Sequence, residues 1–293
     1  MHRRTTAGGS AAFAVLPLLL LGASPLGAPP ASAALRYEGT LGVATGDYIF
    51  TEQATTWTLT TALATGGSRL SGRVWLPIHL QSSDLMTTTG VGMVPTGGPL
   101  QGEVVKQGHQ GMKPAPASHG PPIDAPDSLI GERRVVVGDP MAMLSLTPLL
   151  TAHVSGTLSL AAKAPLASVE NYGTGSWDVG ASAGLLVAPS SRWVVGVDAA
   201  WWSLGDLDTL DLRSPWSGTL SVGRRWGTDW LSTVNLFGGE SAIYGYDGPV
   251  GAGLSVSRSK EGRSMSLFVT IGLSETAPAF ASSLAWGLPL SHP

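Results

Sequence analysis

The sequence predicts an all-β fold, a transmembrane antiparallel up-and-down β-barrel of about 12 strands. Only 13% of the residues are charged and the net charge is −3, whereas about a quarter of a soluble domain is charged. Outside residues 1–34 there is no apolar run of about 18 residues, so no transmembrane helix is expected. Apolar residues instead alternate with small or polar ones. A barrel accounts for both features, because alternate side chains face lipid while their neighbours face a polar lumen.

Residues 1–34 are predicted to be a secretory signal peptide. A basic start at His2-Arg3-Arg4 precedes an apolar core over 11–22, and Ala31-Ser32-Ala33-Ala34 matches an A-x-A cleavage site. An N-terminal membrane anchor is the alternative, which the short apolar stretch and its prolines disfavour. The mature chain then begins near Leu35. A secreted barrel of this kind is expected in the outer membrane of a Gram-negative bacterium.

About twelve segments of the mature chain carry the alternation of a β-strand. In the clearest one, Met265, Leu267 and Val269 belong to an apolar row that opposes small or polar residues and one phenylalanine. The predicted strands are residues 35–49, 54–65, 69–81, 134–147, 150–163, 175–187, 191–204, 215–225, 228–238, 248–258, 263–274 and 278–289.

The predicted connections alternate between short and long. Tight turns such as Gly66-Gly67, Pro148-Leu149 and Pro189-Ser190 follow even-numbered strands, and longer connections such as 164–174 and 205–214 follow most odd-numbered ones. Outer-membrane barrels have short periplasmic turns and longer external loops. Connection length is a separate property from strand periodicity, so the alternation supports the barrel independently.

The longest connection spans residues 82–133 and is rich in Gly, Pro, Thr and Ser. Its prolines predict that no sheet strand lies within it. By parity it is expected outside the cell. Three alternatives stay open: a disordered loop, a lid folded over the mouth, or a plug that enters the lumen.

Tryptophans are predicted to form two belts at the two ends of the strands, as is usual at headgroup depth. The external belt comprises Trp57, Trp177, Trp201, Trp202 and Trp216, and the periplasmic belt comprises Trp193, Trp226, Trp230 and Trp286. Trp75 is the exception, because it shares a face with Arg73 and His79 and is therefore expected to point into the lumen.

Polar and charged side chains at inward-facing positions are candidate contacts for a solute. The lumen-lining candidates are Arg36, Glu38, Arg73, Trp75, His79, His153, Lys163, Asp178, Asp198 and Asn235. A lining of both signs favours weak, unselective passage of small solutes, and the alternative is that these groups pair and close the lumen. Asp178 has a second interpretation, in which it braces its loop through backbone N–H groups or meets an arginine.

The residues indicate no catalytic site, metal site or cofactor. The chain has no cysteine, so disulfides, thiolate metal sites and cysteine nucleophiles are excluded. A lipid hydrolase with a Ser/His pair is the rival, but His79 and His153, the histidines on predicted strands, are both expected to face inward rather than toward lipid. No basic and aromatic cluster suggests nucleic acid.

Three motifs lie between Val135 and Gly184: Gly138-Asp139-Pro140, Lys163-Ala164-Pro165-Leu166 and the run from Gly173 to Gly180. In these motifs the chain resembles the outer-membrane β-barrel transporter family named for the MetA pathway of phenol degradation. The resemblance implies a transporter or pore for aromatic or other hydrophobic compounds. The chain departs from it in the long 82–133 insertion and in lacking the terminal aromatic residue that many barrels offer to the insertion machinery, a role left to Trp286 or Leu288.

The sequence therefore predicts an outer-membrane channel or transporter for passive passage of small, hydrophobic or aromatic solutes, without a cofactor. Its expected partners are outer-membrane lipid, the small-molecule solute and the barrel-insertion machinery. The alternative function is a closed structural or surface-interaction barrel, and the alternative architecture is a soluble β-sandwich.

Overall fold

The computed structural model describes residues 34–50, 53–67, 69–83, 85–97, 130–167, 173–208 and 210–290. Apart from Ala34, the predicted signal peptide lies outside the described residues, as does the 98–129 part of the long connection. No helix in the described part of the chain is long and apolar enough to cross a bilayer.

The described residues form fifteen strands. The first seven are β1 Ala34–Gly46, β2 Ala54–Gly66, β3 Leu70–Ser83, β4 Thr87–Thr89, β5 Gly92–Val94, β6 Ile130–Val137 and β7 Met141–Leu150. The others are β8 Val154–Lys163, β9 Asp178–Val187, β10 Trp193–Ser203, β11 Trp216–Trp226, β12 Trp230–Gly239, β13 Val250–Lys260, β14 Arg263–Gly272 and β15 Phe280–Pro289.

The main sheet closes on itself. Each strand from β7 to β15 pairs antiparallel with the next, β15 pairs with β1, and β1 pairs through β2 to β3. Strand β3 pairs with β7 along its first half and with β6 along its second, so β6 and β7 share one position in the wall. The result is a closed 12-stranded antiparallel barrel, which confirms the predicted fold class.

The Gly138-Asp139-Pro140 motif separates β6 from β7. Pro140 has no N–H to donate to a ladder, and the Gly138 N–H donates to the carbonyl of Pro77 on β3 at 2.9 Å. The prediction of one continuous strand over 134–147 is therefore corrected to two strands that meet at this break.

The turn between β7 and β8 lies three residues later than predicted. Pro148 falls inside β7, where the register with β8 shifts between Leu146 and Leu149. A bulge tolerates a proline because the ladder is already interrupted there. The true turn is Thr151–His153, in which the Thr151 hydroxyl accepts the Val154 N–H at 2.9 Å.

The outer surface of the wall is apolar. Along β13, Val250, Leu254 and Val256 are exposed, whereas the intervening Gly251 and Ser255 are buried inward. Exposed tryptophans flank this surface at both ends of the strands. They are Trp57, Trp177 and Trp216 at the end with long connections, and Trp193, Trp226 and Trp230 at the end with short turns.

Trp202 was predicted in the external belt, and this prediction is wrong. Its side chain is 5% exposed and points inward from β10, while Trp201 beside it points outward against Trp216. Gly180 of β9 and Gly90 of the long connection both lie against the Trp202 ring, where a Cβ on either would overlap it.

A short hairpin from the long connection occupies the mouth of the barrel. Strands β4 and β5 form their own two-stranded sheet, and Leu85 and Met86 just before it are fully buried. The hairpin packs in one apolar cluster with Trp75 and Trp202 of the wall. The prediction that 82–133 contains no strand is thus corrected: residues 82–83 end β3, residues 130–133 begin β6, and the segment 85–97 is inserted as a plug.

Candidate functional site

A cavity of about 320 Å³ lies inside the barrel, below the inserted hairpin. Residues on both sides of the seam between β15 and β1 form its walls, together with residues of β2, β3, β7, β11, β12 and β14. Thr88, Thr89, Gly92 and Met93 of the hairpin close it from above. The cavity therefore exists because the hairpin covers the lumen without filling it.

The cavity wall combines hydroxyl groups with apolar side chains. Its hydroxyl-bearing residues include Thr40, Thr56, Thr58, Thr60, Ser217, Thr219, Ser264, Ser266, Thr270 and Ser283. Its larger apolar surfaces come from Trp75, Met93, Met141, Phe237 and Phe268. Neutral hydroxyls can donate and accept hydrogen bonds without imposing a charge, so the wall suits uncharged solutes.

Glu38 and Arg73 are the oppositely charged residues among those that line the cavity, and they pair with each other. The Arg73 Nε lies 3.0 Å from the Glu38 Oε2, and the Arg73 guanidinium lies 5.3 Å from the centroid of the Trp75 ring. Arg36, near the same end, donates to the Ser264 hydroxyl at 3.2 Å. The pairing leaves no net charge from Glu38 and Arg73.

His79 is buried in the wall beside the cavity. Its Nδ1 lies 2.9 Å from the Thr58 hydroxyl, and its Nε2 has no hydrogen-bond partner. Thr56 Oγ1 and both amide atoms of Gln81 are likewise buried and unpartnered. Thr56 lies opposite Gln81, and Thr58 opposite His79, in the β2–β3 register. The sequence analysis named His79 but missed Gln81 and Thr56, because an uncharged side chain on a strand carries no distinctive signal.

Lys163 forms a fully buried ionic cluster with Asp139 and Asp178. Its Nζ donates to Asp139 Oδ2 at 2.9 Å and to the Thr174 hydroxyl at 2.8 Å, and it lies 3.4 Å from Asp178 Oδ2. All three charged side chains are 0% exposed. Buried charges are stable only when paired and hydrogen-bonded, which this cluster achieves. Asp139 was missing from the predicted lining residues, although it lies in the Gly-Asp-Pro motif.

Asp178 connects the cluster to the hairpin. Its Oδ2 accepts the Gly90 N–H at the hairpin tip at 2.6 Å, and its Oδ1 accepts the Gly205 N–H at 2.8 Å. These contacts match the second interpretation of Asp178, a carboxylate that braces backbone N–H groups. Lys163 and Asp178 thus hold the plug and the adjoining loops in place and are buried from the lumen.

The remaining predicted lining residues occupy three different environments. Asn235 on β12 is buried and lines the cavity. Asp198 alternates inward on β10 but lies outside the set that lines the cavity. His153 was predicted to face the lumen from a strand, which is corrected: it lies exposed in the β7–β8 turn, with its Nδ1 3.2 Å from the Ala188 carbonyl oxygen.

A second, smaller cleft of about 50 Å³ lies on the far side of the hairpin. Met93 of the hairpin, Ser217 and Pro249 line both this cleft and the main cavity. Burial raises the pKa of the Tyr48 phenol, which lines the cavity, and raises the pKa of Tyr246 beside the cleft to about 12. Both phenols therefore stay neutral at physiological pH. No cluster of three or more possible metal ligands occurs among the described residues.

The chain is similar in structure to the COG4313 outer membrane channel from Pseudomonas putida F1, with a TM-score of 0.61 and 12% identity over 87% of this chain and 94% of that one. Weaker similarity extends to the P. putida toluene transporter TodX, with a TM-score of 0.44 and 9% identity over 89% and 91% of the two chains. It also extends to the NanC porin, with a TM-score of 0.44 and 6% identity over 88% and 100%. No family model and no curated protein matches the sequence. The first similarity shows a shared barrel fold, and the resemblance to the MetA-pathway family stays a prediction.

Proposed function

We propose that the chain is an outer-membrane channel for passive passage of small, uncharged solutes with a hydrophobic or aromatic part. The observation that carries this proposal is the cavity below the hairpin, whose wall offers hydroxyls and aromatic faces around the Glu38–Arg73 ion pair. An organic ion that rests against this wall would lose part of its hydration without gaining an unpaired partner of opposite charge, whereas hydrated electrolyte ions can pass without resting against it. A neutral solute loses much less, so the wall discriminates by charge.

The apolar outer wall supports a membrane location. In a soluble sandwich, the aliphatic rows would pack against each other, whereas here Leu254, Leu267 and Ile271 remain exposed around a closed barrel. Apolar surface on this scale is stable in hydrocarbon and unstable in water. By the same proposal, the short turns are periplasmic and the hairpin faces the exterior.

Export and insertion belong to the same proposal. Residues 1–34 would direct secretion and be removed, as the basic start and the A-x-A site indicate. Strand β15, which carries Trp286 and Leu288, would present the signal that the insertion machinery reads.

The cavity volume limits the size of the solute. An apolar protein cavity of about 150 Å³ can hold one benzene molecule, so a cavity of about 320 Å³ has room for a somewhat larger solute. A single substituted benzene ring is in this range. The hydroxyl of such a solute would meet the threonine-rich β2 wall, and its ring would meet Trp75 or Phe237.

Single-channel recording in planar bilayers tests the proposal. Met93 is a hairpin residue that lines both the cleft and the cavity, so we expect Met93→Ala to enlarge the current step and Met93→Trp to reduce it. The matched control is Met265→Ala, which shortens an exposed methionine on the outer wall and should leave the step unchanged. A folded wild-type barrel that never conducts would contradict the channel.

Current block tests the charge discrimination. Benzyl alcohol and benzoate have similar size and differ in charge, so benzyl alcohol should block the current at concentrations where benzoate does not. Replacing the cavity ring in Phe237→Ala should weaken the block. Equal block by both solutes would contradict the proposed preference.

The second candidate function is a closed structural or surface-interaction barrel. The inserted hairpin favours it, because fully buried Leu85 and Met86 and the Gly90–Asp178 hydrogen bond seal the mouth. A barrel that folds in detergent, inserts in bilayers and stays electrically silent, even as Met93→Ala, would support this function.

A further inference from the structure

The outer wall at the short-turn end carries a cluster of tryptophans and arginines that the channel function does not use. This rim patch consists of Trp193 on β10, Arg224 and Trp226 on β11, Trp230 on β12 and Arg258 on β13. The three tryptophans are exposed. The patch therefore faces whatever surrounds the barrel rather than its lumen.

Strand register brings the arginines against the indole rings. Trp193 lies opposite Arg224, and Trp230 lies opposite Arg258. The Arg224 guanidinium lies 4.1 Å from the Trp226 ring centroid and 5.6 Å from that of Trp193, and Arg258 lies 5.5 Å from that of Trp230. Cation–π contacts of this kind fix the plane of a guanidinium without neutralising its charge.

The two arginines differ in their carboxylate partners within the described part of the chain. Arg224 has no ion pair there, and its Nε is buried without a hydrogen-bond partner. Arg258 has Asp229 at 3.9 Å, which is beyond hydrogen-bond distance. An arginine held at a membrane interface without a carboxylate needs an anion from its surroundings.

Charge is divided between the two ends of the barrel. Among the described residues, the cations near the short turns are Arg69, Arg192, Arg224, Arg225, Arg258, Lys260 and Arg263, and the anions there are Asp229 and Glu261. The end with long connections carries Asp47, Asp139, Asp178, Asp206, Asp208, Asp211, Glu240, Asp247 and Glu275, with Lys163 and Arg213 as cations, and β6 adds Glu132, Arg133 and Arg134 in sequence. The short-turn end therefore attracts anions, and the opposite end repels them.

We propose that the rim patch binds the phosphate group of an anionic phospholipid. The planar guanidinium fork of Arg224 matches two phosphate oxygens, and the flanking indoles lie at headgroup depth. Exposed Val195 and Val222 follow on the same strands toward the middle of the wall, where they meet the acyl chains of the same lipid. This continuous apolar surface favours a lipid over free phosphate. The inference rests on the membrane location given under the proposed function.

Native mass spectrometry of the full barrel released from detergent tests the site. Wild-type protein should retain phosphatidylglycerol over phosphatidylcholine, and Arg224→Gln should weaken the retention about tenfold, as expected for one charge-assisted pair. Arg224→Lys keeps the charge and removes the fork, so it should fall between the two. The matched control is Arg213→Gln, because Arg213 also stacks on an aromatic ring, Tyr244 at 5.5 Å, but lies at the opposite end.

Four outcomes would overturn the proposed lipid site. Unchanged lipid retention in Arg224→Gln, or an equal loss in Arg213→Gln, overturns the site, as does displacement of the lipid by inorganic phosphate at equal concentration. Heat-modifiable gel mobility checks that every variant is a folded barrel. A wild-type protein that conducts ions without a preference for phosphatidylglycerol overturns the lipid site alone, whereas a silent protein that retains the lipid overturns the channel alone.

Discussion

At the residue scale, Lys163 is the side chain at the centre of the buried ionic cluster. One ammonium serves two carboxylates, one threonine hydroxyl and the Ser176 carbonyl oxygen, which it approaches at 3.1 Å. Through Asp139 it also orders the next loop, because Asp139 Oδ1 accepts the Ala167 N–H at 2.7 Å. Removing the ammonium leaves two adjacent carboxylates buried without a counter-charge.

We therefore expect Lys163→Met to lower the free energy of unfolding by about 3–5 kcal/mol, the usual cost of breaking a buried ion pair from one side. Denaturant unfolding of the barrel in detergent, followed by tryptophan fluorescence, measures it. Lys260→Met is the matched control, since Lys260 is 57% exposed and its Nζ lies 3.7 Å from Glu261. A surface pair of this kind contributes about 0–1 kcal/mol. Equal losses in both variants would contradict a special role for Lys163.

Sequence reasoning reached part of this cluster. Lys163 and Asp178 were identified as inward-facing because alternation alone assigns a face to each strand residue. Asp139 was missed because it lies in a break between strands, where alternation does not apply. His153 was misassigned because Pro148 was interpreted as a turn, whereas a bulge carries the strand past it. Trp202 could have been assigned correctly, since two consecutive residues of a strand must face opposite sides.

At the element scale, the inserted hairpin is the element that covers the lumen in the described part of the chain. Its strands, Thr-Thr-Thr and Gly-Met-Val, are three residues each, so neither length nor alternation distinguishes them from a loop in the sequence. The hairpin is held by individual contacts rather than by a β-ladder, because its two strands pair with each other and not with the wall. The contacts that hold it are the Gly90–Asp178 hydrogen bond and apolar packing around Trp202.

We expect Gly90→Val to displace the hairpin and to raise the single-channel conductance severalfold. A Cβ at Gly90 would overlap the Trp202 ring and would lie 2.9 Å from the Asp178 Cβ. Gly67→Val is the matched control, because a Cβ at Gly67, in the β2–β3 turn, would meet nothing within 4 Å. Unchanged conductance in a folded Gly90→Val barrel would contradict the hairpin as the closing element.

At the scale of the whole molecule, the period-two pattern was sufficient to predict the barrel. Strand β14 illustrates why: Met265, Leu267 and Ile271 are exposed on the outer wall and Ser264 and Ser266 line the cavity, as alternation requires. The cavity itself could not be predicted, because its volume depends on how far the hairpin enters, which no local pattern encodes. Buried polar atoms without a hydrogen-bond partner, such as those of Gln81, can likewise be identified only once the surrounding side chains are known.

An outer wall immersed in hydrocarbon should be destabilised by a charged side chain. The loss should be larger at the middle of the bilayer than near its surfaces. Leu254 is 52% exposed at the middle of β13, and Met265 is 59% exposed near the short turns. We expect Leu254→Arg to destabilise the barrel in lipid vesicles by about 2–4 kcal/mol and Met265→Arg by about 0–1 kcal/mol. Denaturant titration in phosphatidylcholine vesicles measures both. Equal costs at the two positions would contradict a bilayer centred on Leu254.

The wall has a seam where the beginning of the chain meets its end. Strand β1 pairs with β15 from Arg36 opposite Pro289 to Thr45 opposite Phe280, and the Leu290 N–H donates to the Leu35 carbonyl oxygen at 2.9 Å. Each of these two strands therefore finds the hydrogen-bond partners for one of its edges on the other, and the pairing leaves the main wall without a free edge. We expect that a chain rejoined across this seam and cut at a tight turn would keep the same strand pairing, because the new ends would lie between neighbouring strands that already pair.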